Sequence, residues 1–285
     1  MLANTIQIPK PLMSLFKPIV IPLSMLLSTI AVAQLPPGNE KGVSMGHLHF
    51  RVTDPAVHQK LLVDVLGAKV LRAGPLEIYQ LPGVHILLTP GKPSGGNEGT
   101  VVDHLGLKVQ DLDGMKSKLT AAGAKVLSEN PGTRQMFIQF PDAIKIEFSE
   151  DKKQDKPVIH DHIHFAVPQT DEQRAWYEKT FGAKLGMTGR FKAADVPGVN
   201  LRWNTAERRL PGIKGTSVDH IGFEVANLEA FCKKLEADGV KFDLPYRSVE
   251  RIGLRIAFLT DPWGVYIELT EGLAAVDKKA QVEAP

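Results

Sequence analysis

The amino-acid sequence predicts an α+β protein assembled from four copies of a βαβββ module. Two observations lead to this prediction. Short stretches in which apolar and polar residues alternate, such as GHLHFRV at 46–52, indicate strands with one buried face. Between these strands lie stretches of helical periodicity, approximately at 54–66, 112–122, 170–181 and 228–238, and several of them end at a glycine, as helices often do.

The strand sequences of the first half of the chain recur in the second half. The matching pairs are GHLHFRV at 46–52 with DHIHFAV at 161–167, DHLGLKV at 103–109 with DHIGFEV at 219–225, and IKIEF at 144–148 with VYIEL at 265–269. The polar stretch at 149–157 has the composition of a linker. We therefore expect a first domain at 45–150, a second domain at 158–271 and a disordered tail at 272–285.

Length and composition agree with two globular domains of ordinary size. The chain has 285 residues, of which 43% are hydrophobic and 23% are charged, so it can build sizeable cores. The two lysines that precede Gln34 account for the whole formal net charge of +2 at pH 7. The remaining chain is balanced in charge, which argues against a nucleic-acid partner. Cys232 is the single cysteine, which excludes an intramolecular disulfide.

The first 33 residues differ in character from the rest. They carry two lysines and no acidic residue, then an apolar run from Ile19 to Ile30 that leads into Ala31-Val32-Ala33. A positive start, a short apolar run and a small-x-small site are typical of a secretory signal peptide. We therefore expect cleavage before Gln34, a periplasmic or secreted protein and no stable membrane anchor. An uncleaved anchor is the alternative, although the run is short for a membrane span.

Two histidines and a glutamate occur in the same order, with nearly the same spacing, in each half of the chain. They are His47, His104 and Glu147 in the first half, and His162, His220 and Glu268 in the second half. Strand alternation puts each of the six on the polar face of its own strand. Two imidazoles and a carboxylate hold a divalent ion on one side and leave other positions open for substrate. The pattern therefore predicts metal binding.

The four modules, together with the closing sequence DPWGVYIEL at 261–269, resemble the vicinal-oxygen-chelate superfamily of glyoxalases, bleomycin-resistance proteins and extradiol dioxygenases. The resemblance covers residues 45–271. It implies that consecutive modules pair into two curled mixed sheets, each around a metal cleft, as in glyoxalases. The implied ligand sets are His47, His104 and Glu147 for one ion, and His162, His220 and Glu268 for the other. The resemblance also implies iron, manganese, zinc or nickel as the ion, and a small-molecule substrate that chelates it through two oxygens.

Departures from the family pattern favour one subtype. Glyoxalase- and epimerase-type sites use a fourth ligand at positions where this chain has Leu87 and Arg202. A three-ligand site resembles extradiol dioxygenases, which are the leading hypothesis, although Phe258 stands where their pattern has a tyrosine. A glyoxalase- or fosfomycin-type lyase or transferase is the enzyme alternative. A metal-free protein that sequesters a ligand, as bleomycin-resistance proteins do, is the alternative from another class.

Further residues are expected to serve the cleft. His49 and His164 each follow a predicted ligand by two residues and share its face, so either could shuttle a proton or orient a ligand, or simply be a polar cleft residue. Arg202 is predicted to bind a carboxylate or phosphonate of the substrate, with an ion pair to a neighbouring acid as the alternative. Because the Asp-Pro-Trp-Gly turn delivers Glu268, the second site is expected to be the catalytic one.

Two other histidines are expected to have no part in the chemistry. His58 falls on a predicted helix, and His160 comes just after the linker. Both are predicted to be exposed to solvent.

Overall fold

The computed structural model describes residues 35–276. The predicted signal peptide at 1–33 and residues 277–285 of the predicted tail lie outside this range. Over the range, the chain forms two mixed sheets of eight strands each and one α-helix in each of four modules, which confirms the α+β class and the βαβββ modules. None of the helices in the described range has the length and hydropathy that a membrane span requires.

The modules follow one another along the chain. The strands are β1 Val43–Val52, β2 Lys69–Ala73, β3 Leu76–Leu81, β4 Val84–Pro90, β5 Val102–Val109, β6 Lys125–Asn130, β7 Gln135–Phe140, β8 Ile144–Glu150, β9 Val158–Val167, β10 Lys184–Thr188, β11 Phe191–Val196, β12 Val199–Thr205, β13 Val218–Val225, β14 Phe242–Val249, β15 Leu254–Thr260 and β16 Tyr266–Glu271. The helices are α1 Pro55–Lys60, α2 Leu112–Ala121, α3 Thr170–Phe181 and α4 Leu228–Ala237. A π-helical turn at Leu61–Val65 continues α1. Strands β1–β4, β5–β8, β9–β12 and β13–β16 define modules one to four.

Each sheet combines modules from both halves of the chain. Sheet A has the strand order β14-β15-β16-β13-β1-β4-β3-β2, so it joins modules four and one. Sheet B has the order β10-β11-β12-β9-β5-β8-β7-β6, so it joins modules three and two. The predicted grouping of the first two modules into a domain at 45–150, and of the last two into a domain at 158–271, is therefore wrong. All of the described residues belong to one compact unit.

The connections between modules explain this arrangement. Residues 151–157, the shortest connection, lead from β8 to β9, and both strands remain in sheet B. The longer connections, 91–101 and 206–217, cross between the two sheets. These crossovers are hydrogen-bonded to each other: Ser94 N donates to Gly215 O at 2.9 Å, and Ser217 N donates to Gly95 O at 2.9 Å. Paired backbone groups compensate the cost of burying part of these loops.

One hydrophobic core covers both sheets and includes residues of all four modules. Helix α3 of module three reaches module four through Phe181, whose ring centroid is 4.8 Å from that of Phe223. Trp203 is also tied in, since its Nε1 donates to Gln173 Oε1 at 2.8 Å. Full burial of one large apolar side chain contributes roughly 1.5–3 kcal/mol. Packing across the modules therefore stabilises the two sheets jointly.

The turns before β16 and β8 are built differently. Asp261 Oδ1 accepts hydrogen bonds from the backbone N–H groups of residues 263, 264 and 265. Asp142 instead has a left-handed φ of 58° and accepts a hydrogen bond from His58 Nε2 at 3.0 Å. The prediction that His58 and His160 are solvated is wrong. His58 is buried against this turn, and buried His160 has its Nδ1 3.3 Å from Gly198 O.

Candidate metal centres

Each sheet carries one cluster of three histidines and one glutamate. Centre A, in sheet A, consists of His47 and His49 on β1, His220 on β13 and Glu268 on β16. Centre B, in sheet B, consists of His104 on β5, Glu147 on β8, and His162 and His164 on β9. All six predicted ligands therefore lie in one of two centres, and both additional histidines lie beside them.

The predicted ligand sets are nevertheless grouped incorrectly. His47 does not join His104 and Glu147, because β1 pairs with β13 and so meets His220. His162 does not join His220 and Glu268, because β9 pairs with β5 and so meets His104 and Glu147. The physical reason is the pairing of module one with module four and of module two with module three. Each site is still formed by one odd and one even module, as in the predicted ligand sets.

In centre A, two imidazoles converge on a single carboxylate oxygen. The Nε2 atoms of His47 and His220 each lie 2.9 Å from Glu268 Oε2. One ligand atom from each of the four residues lies within 4.8 Å of the other three. His49 Nε2 is additionally 2.6 Å from Thr89 Oγ1.

Centre B repeats this geometry with small differences. His104 Nε2 lies 3.1 Å and His162 Nε2 lies 3.4 Å from Glu147 Oε2. One nitrogen from each of its three histidines lies within 4.8 Å of the others. Gln135 Nε2 donates to Glu147 Oε1 at 2.9 Å, which fixes the carboxylate. Both ring nitrogens of His164 are buried without a hydrogen-bond partner among residues 35–276.

Two glycines make the close approach of the imidazoles possible. Gly222 lies opposite His47 in the β1–β13 ladder, and a Cβ placed there would come within 2.1 Å of the His47 ring. Gly106 lies opposite His162, and a Cβ there would come within 2.0 Å of that ring. Both glycines belong to the repeated Asp-His-x-Gly sequence. Each histidine ring therefore lies across a neighbouring strand that has no side chain at that point.

Three aspartates orient three of the ligating histidines, a role that was not predicted from the sequence. Asp103, Asp161 and Asp219 each precede a ligand, and each lies 2.7, 2.8 and 2.7 Å, respectively, from that histidine's Nδ1. A carboxylate at Nδ1 fixes the ring and leaves the Nε2 lone pair for a metal. The signal was visible as Asp-His, which occurs three times at ligand positions.

The charge states of the clusters suit a divalent cation. Burial, and then the neighbouring His104, lower the pKa of His164 to about 3, so this ring is neutral at pH 7. Burial alone would raise the pKa of Glu147 and Glu268, but their histidine neighbours hold both values well below the usual range. Neutral imidazole nitrogens without partners beside an ionised carboxylate are the donors that borderline transition metals prefer. The residues present therefore fit such an ion.

A cavity of about 660 Å³ opens over centre B. It is lined by His104, Glu147, His164, Ser128, Glu129, Asn130, Thr133, Gln135, Phe137, Arg190, Phe191, Arg202 and Asn204. Phe137 lies edge-on to His104 with ring centroids 5.0 Å apart, and Phe191 lies edge-on to His164 at 4.9 Å. Two aromatic rings therefore lie beside the histidines of centre B, and polar side chains line the rest of the cavity.

In sheet A, apolar side chains lie beside centre A. Leu87, the neighbour of His49 in the β1–β4 ladder, belongs to a buried cluster. The other buried members are Leu35, Ala73, Ile78, Leu254, Leu273 and Val276. Leu273 is 1% and Val276 is 6% exposed, so these two residues of the predicted disordered tail are buried. Leu273 and Val276 thus pack in the same cluster as Leu87, beside centre A.

Arg202 has an ion-pair partner in the protein. Its Nη2 donates to Asp161 Oδ2 at 2.7 Å, and its Nε donates to Asn200 Oδ1 at 2.7 Å. The ion pair was the alternative predicted for Arg202. Because the guanidinium is paired with Asp161, its charge is not free to bind an anionic substrate group. Arg202 lies beside His164 in the β9–β12 ladder, which brings it within reach of Asp161.

Sequence reasoning missed a second cation of the cavity. Arg190 is exposed in the β10–β11 turn, and its guanidinium carbon lies 5.1 Å from the Phe191 ring centroid. No carboxylate of the described chain forms an ion pair with it. In module one the matching turn has Pro75, which precedes Leu76. That difference between otherwise repeated modules was the available signal.

Comparison with known proteins agrees with this description. Residues 159–269, which span modules three and four, match the sequence model of the Glyoxalase/Bleomycin resistance protein/Dioxygenase superfamily. Glyoxalase I from Zea mays superposes with a TM-score of 0.66 at 17% identity, covering 85% of this chain and 96% of that chain. A Bacillus subtilis protein described as a dioxygenase has a TM-score of 0.58 at 15% identity, covering 84% and 86%. No curated protein matches at the level of sequence.

The match over residues 159–269 agrees with the superfamily that the sequence resembles. The similarity to glyoxalase I extends the shared fold over most of the described residues. At these sequence identities the similarity concerns the fold. The activity has to be inferred from the centres themselves.

Proposed function

We propose that the protein is an exported, divalent-metal-dependent enzyme that acts at centre B on a small molecule with two adjacent oxygens. The observation that carries the proposal is His164. It is a buried imidazole with both nitrogens unpaired among the described residues, and it lines a cavity large enough for a small substrate. Its counterpart in centre A, His49, is instead bonded to Thr89, beside an apolar cluster.

His104, His162 and Glu147 would hold the ion, and His164 lies beside them and lines the cavity. Imidazole and carboxylate donors suit iron, manganese, zinc or nickel. When bound, the ion supplies Lewis acidity to the substrate oxygens. His47, His220 and Glu268 would hold a second ion in centre A, and we assign that centre to structure rather than turnover.

The protein's own groups then position the substrate. Neutral His164 accepts a hydrogen bond from a substrate hydroxyl, and Gln135 keeps the Glu147 carboxylate in place. Phe137 and Phe191 exclude water and present apolar edges to a planar ring. Arg190 at the rim binds an anionic substituent.

Extradiol-dioxygenase-like cleavage of an aromatic diol remains the leading subtype. Two histidines and one carboxylate leave adjacent positions for two substrate oxygens and for dioxygen, and the phenylalanines match an aromatic ring. A glyoxalase- or fosfomycin-type lyase or transferase uses the same donors without dioxygen. Sequestration of a ligand without metal is the alternative that is not an enzyme.

Metal content and oxygen uptake test the proposal. The protein starting at Gln34, purified without chelator and reconstituted separately with each of the four metals, should contain about two equivalents of ion. The iron form should consume oxygen with a simple catechol, and a His104→Ala variant should not. Metal content near zero with every ion would rule out the enzyme, and oxygen-independent turnover would favour the lyase or transferase.

A further inference from the structure

We infer that the two centres bind their ions with unequal affinity, centre B the more tightly, because one ligand of centre A lacks the carboxylate that orients the others. This inference rests on the proposed metal binding. His104, His162 and His220 each have an aspartate at Nδ1. His47 has none, and its Nδ1 is buried without a partner in the described range. Centre B thus has two oriented histidines, and centre A has one.

The backbone around His47 explains the missing aspartate. Gly46 occupies the preceding position, at an irregularity in the β1–β13 register. A Cβ on Gly46 would lie 2.9 Å from Glu224 N and 3.2 Å from Gly222 O. Real Cβ atoms essentially never come within 3.0 Å of another atom, so an aspartate at position 46 would force the paired backbone to shift. The asymmetry is therefore built into the strand pairing.

The consequence is a difference in tautomer. His47 Nε2 lies 2.9 Å from Glu268 Oε2, and with no acceptor at Nδ1 the ring carries its proton on Nε2. An ion bound at Nε2 would displace that proton to Nδ1, leaving a buried N–H unpaired, which costs free energy. At His162 the proton already lies on Nδ1, facing Asp161, so Nε2 is ready for a metal.

Asp161 is itself held in place more firmly than its counterparts. Besides its contact with His162, Asp161 forms ion pairs with Arg202 Nη2 at 2.7 Å and with Lys108 Nζ at 2.9 Å. Arg202 thus acts through Asp161 as a positioning residue for centre B. Each centre also has one additional histidine, His49 or His164, so these two residues do not account for the difference. Loss of such orienting carboxylates typically weakens metal binding by roughly 10–100-fold.

Competition with a chromophoric chelator, using Zn²⁺ and the metal-free full-length mature protein, tests the inference. Two binding steps should differ at least about tenfold in affinity. His104→Ala should remove the tighter step, and His220→Ala should remove the weaker one. Asp161→Asn should weaken the tighter step, whereas Asp155→Asn, on the exposed linker, should leave both steps unchanged.

A second measurement does not depend on variants. In ¹⁵N-edited NMR of the metal-free protein, His47 should be the Nε2–H tautomer and His162 the Nδ1–H tautomer. Two steps of equal affinity, or His47 protonated on Nδ1, would overturn the inference while leaving the proposed function intact. The absence of any Zn²⁺ binding would overturn the proposed function and this inference with it.

Discussion

At the scale of single residues, the glycine of Asp-His-x-Gly is as necessary to a centre as the ligands are. The space beside Gly106 on β5 is occupied by the ring of His162, which lies opposite it on β9. Any side chain at this position has to displace either a ligand or the ladder. The sequence shows the glycine clearly, but only the register shows which histidine requires it.

Gly106→Ala should therefore lose the ion of centre B and lower the free energy of unfolding by roughly 1–3 kcal/mol, because its Cβ overlaps the His162 ring. Gly186→Ala is a matched control, since that glycine also lies on a strand and its Cβ would contact nothing within 4 Å. Zn²⁺ stoichiometry and chemical denaturation measure the two effects. Retention of both ions by Gly106→Ala would contradict the ring placement.

The two glutamates should differ in their effect on turnover. Glu147→Gln removes the carboxylate beneath the open cavity, so we expect activity to fall by at least about 100-fold. Glu268→Gln alters centre A, to which we assign a structural role, and should leave most of the activity of the remaining folded protein. This ranking reverses the sequence-based expectation that the second site is catalytic. Rates normalised to metal content decide it, and the opposite order would transfer catalysis to centre A.

Arg190 should affect substrate affinity rather than the maximal rate. With an anionic substrate, Arg190→Gln should raise KM several-fold with little change in kcat, because the guanidinium lies at the rim of the cavity. Arg208→Gln changes an exposed arginine that is absent from the cavity lining and serves as the control. Steady-state kinetics with a charged and an uncharged catechol separate the two cases. An equal effect of both variants would argue against this role for Arg190.

At the scale of helices and strands, local periodicity predicted most of the fold. The observed helices α2, α3 and α4 begin at residues 112, 170 and 228, as predicted, because apolar spacing and following glycines are local signals. The exception is the π-helical turn at Leu61–Val65, since an extra residue in one turn leaves the apolar pattern almost unchanged. The packing of Leu273 and Val276 was also missed, because it depends on a distant hydrogen-bond acceptor.

That acceptor is Glu224 on β13. Its Oε1 accepts hydrogen bonds from Gly272 N at 2.9 Å and from Ala274 N at 3.2 Å, and its Oε2 accepts one from Thr270 Oγ1 at 2.8 Å. Burial raises the pKa of Glu224 to about 7 despite these donors. The folded protein therefore binds this proton more tightly than the unfolded chain does. The resulting stability is greatest below pH 4.5 and is lost as the pH rises towards about 7.

Glu224→Gln should remove this pH dependence while keeping the hydrogen bonds. The amide oxygen can accept the two backbone N–H groups, and the amide nitrogen can donate to Thr270. We expect the difference in free energy of unfolding between variant and wild type to change by roughly 1–3 kcal/mol in favour of the variant between pH 5 and pH 8. Denaturation at several pH values measures it. A parallel pH dependence of the two proteins would exclude Glu224 as the titrating group.

At the scale of the whole molecule, the pairing of modules could not be derived from repetition. Every odd module carries His-x-His and every even module carries Asp-His-x-Gly. Either even module could therefore complete the ligand set of a given odd module. The sets of ligand types and their strand faces were therefore predictable, whereas the partners were not. The length of the 151–157 connection was the one local difference in favour of the observed arrangement.

Processing of the N-terminus also concerns the whole molecule. The apolar run and Ala31-Val32-Ala33 predict that the exported protein begins at or near Gln34. Intact-mass measurement of protein from the native host checks this expectation. A cytoplasmic protein that retains Met1 would contradict it.

The order of the modules has a consequence for synthesis. Sheet B consists of the two central modules, so all its strands have been translated once Thr205 has been added. Sheet A unites the first and the last module and must wait for Glu271. Centre B can thus assemble while the chain is still being synthesised, whereas centre A forms only when the last module has been added. If translation stops before module four, β1 lacks its partner β13. The resulting unpaired strand edge can be recognised by quality-control proteases.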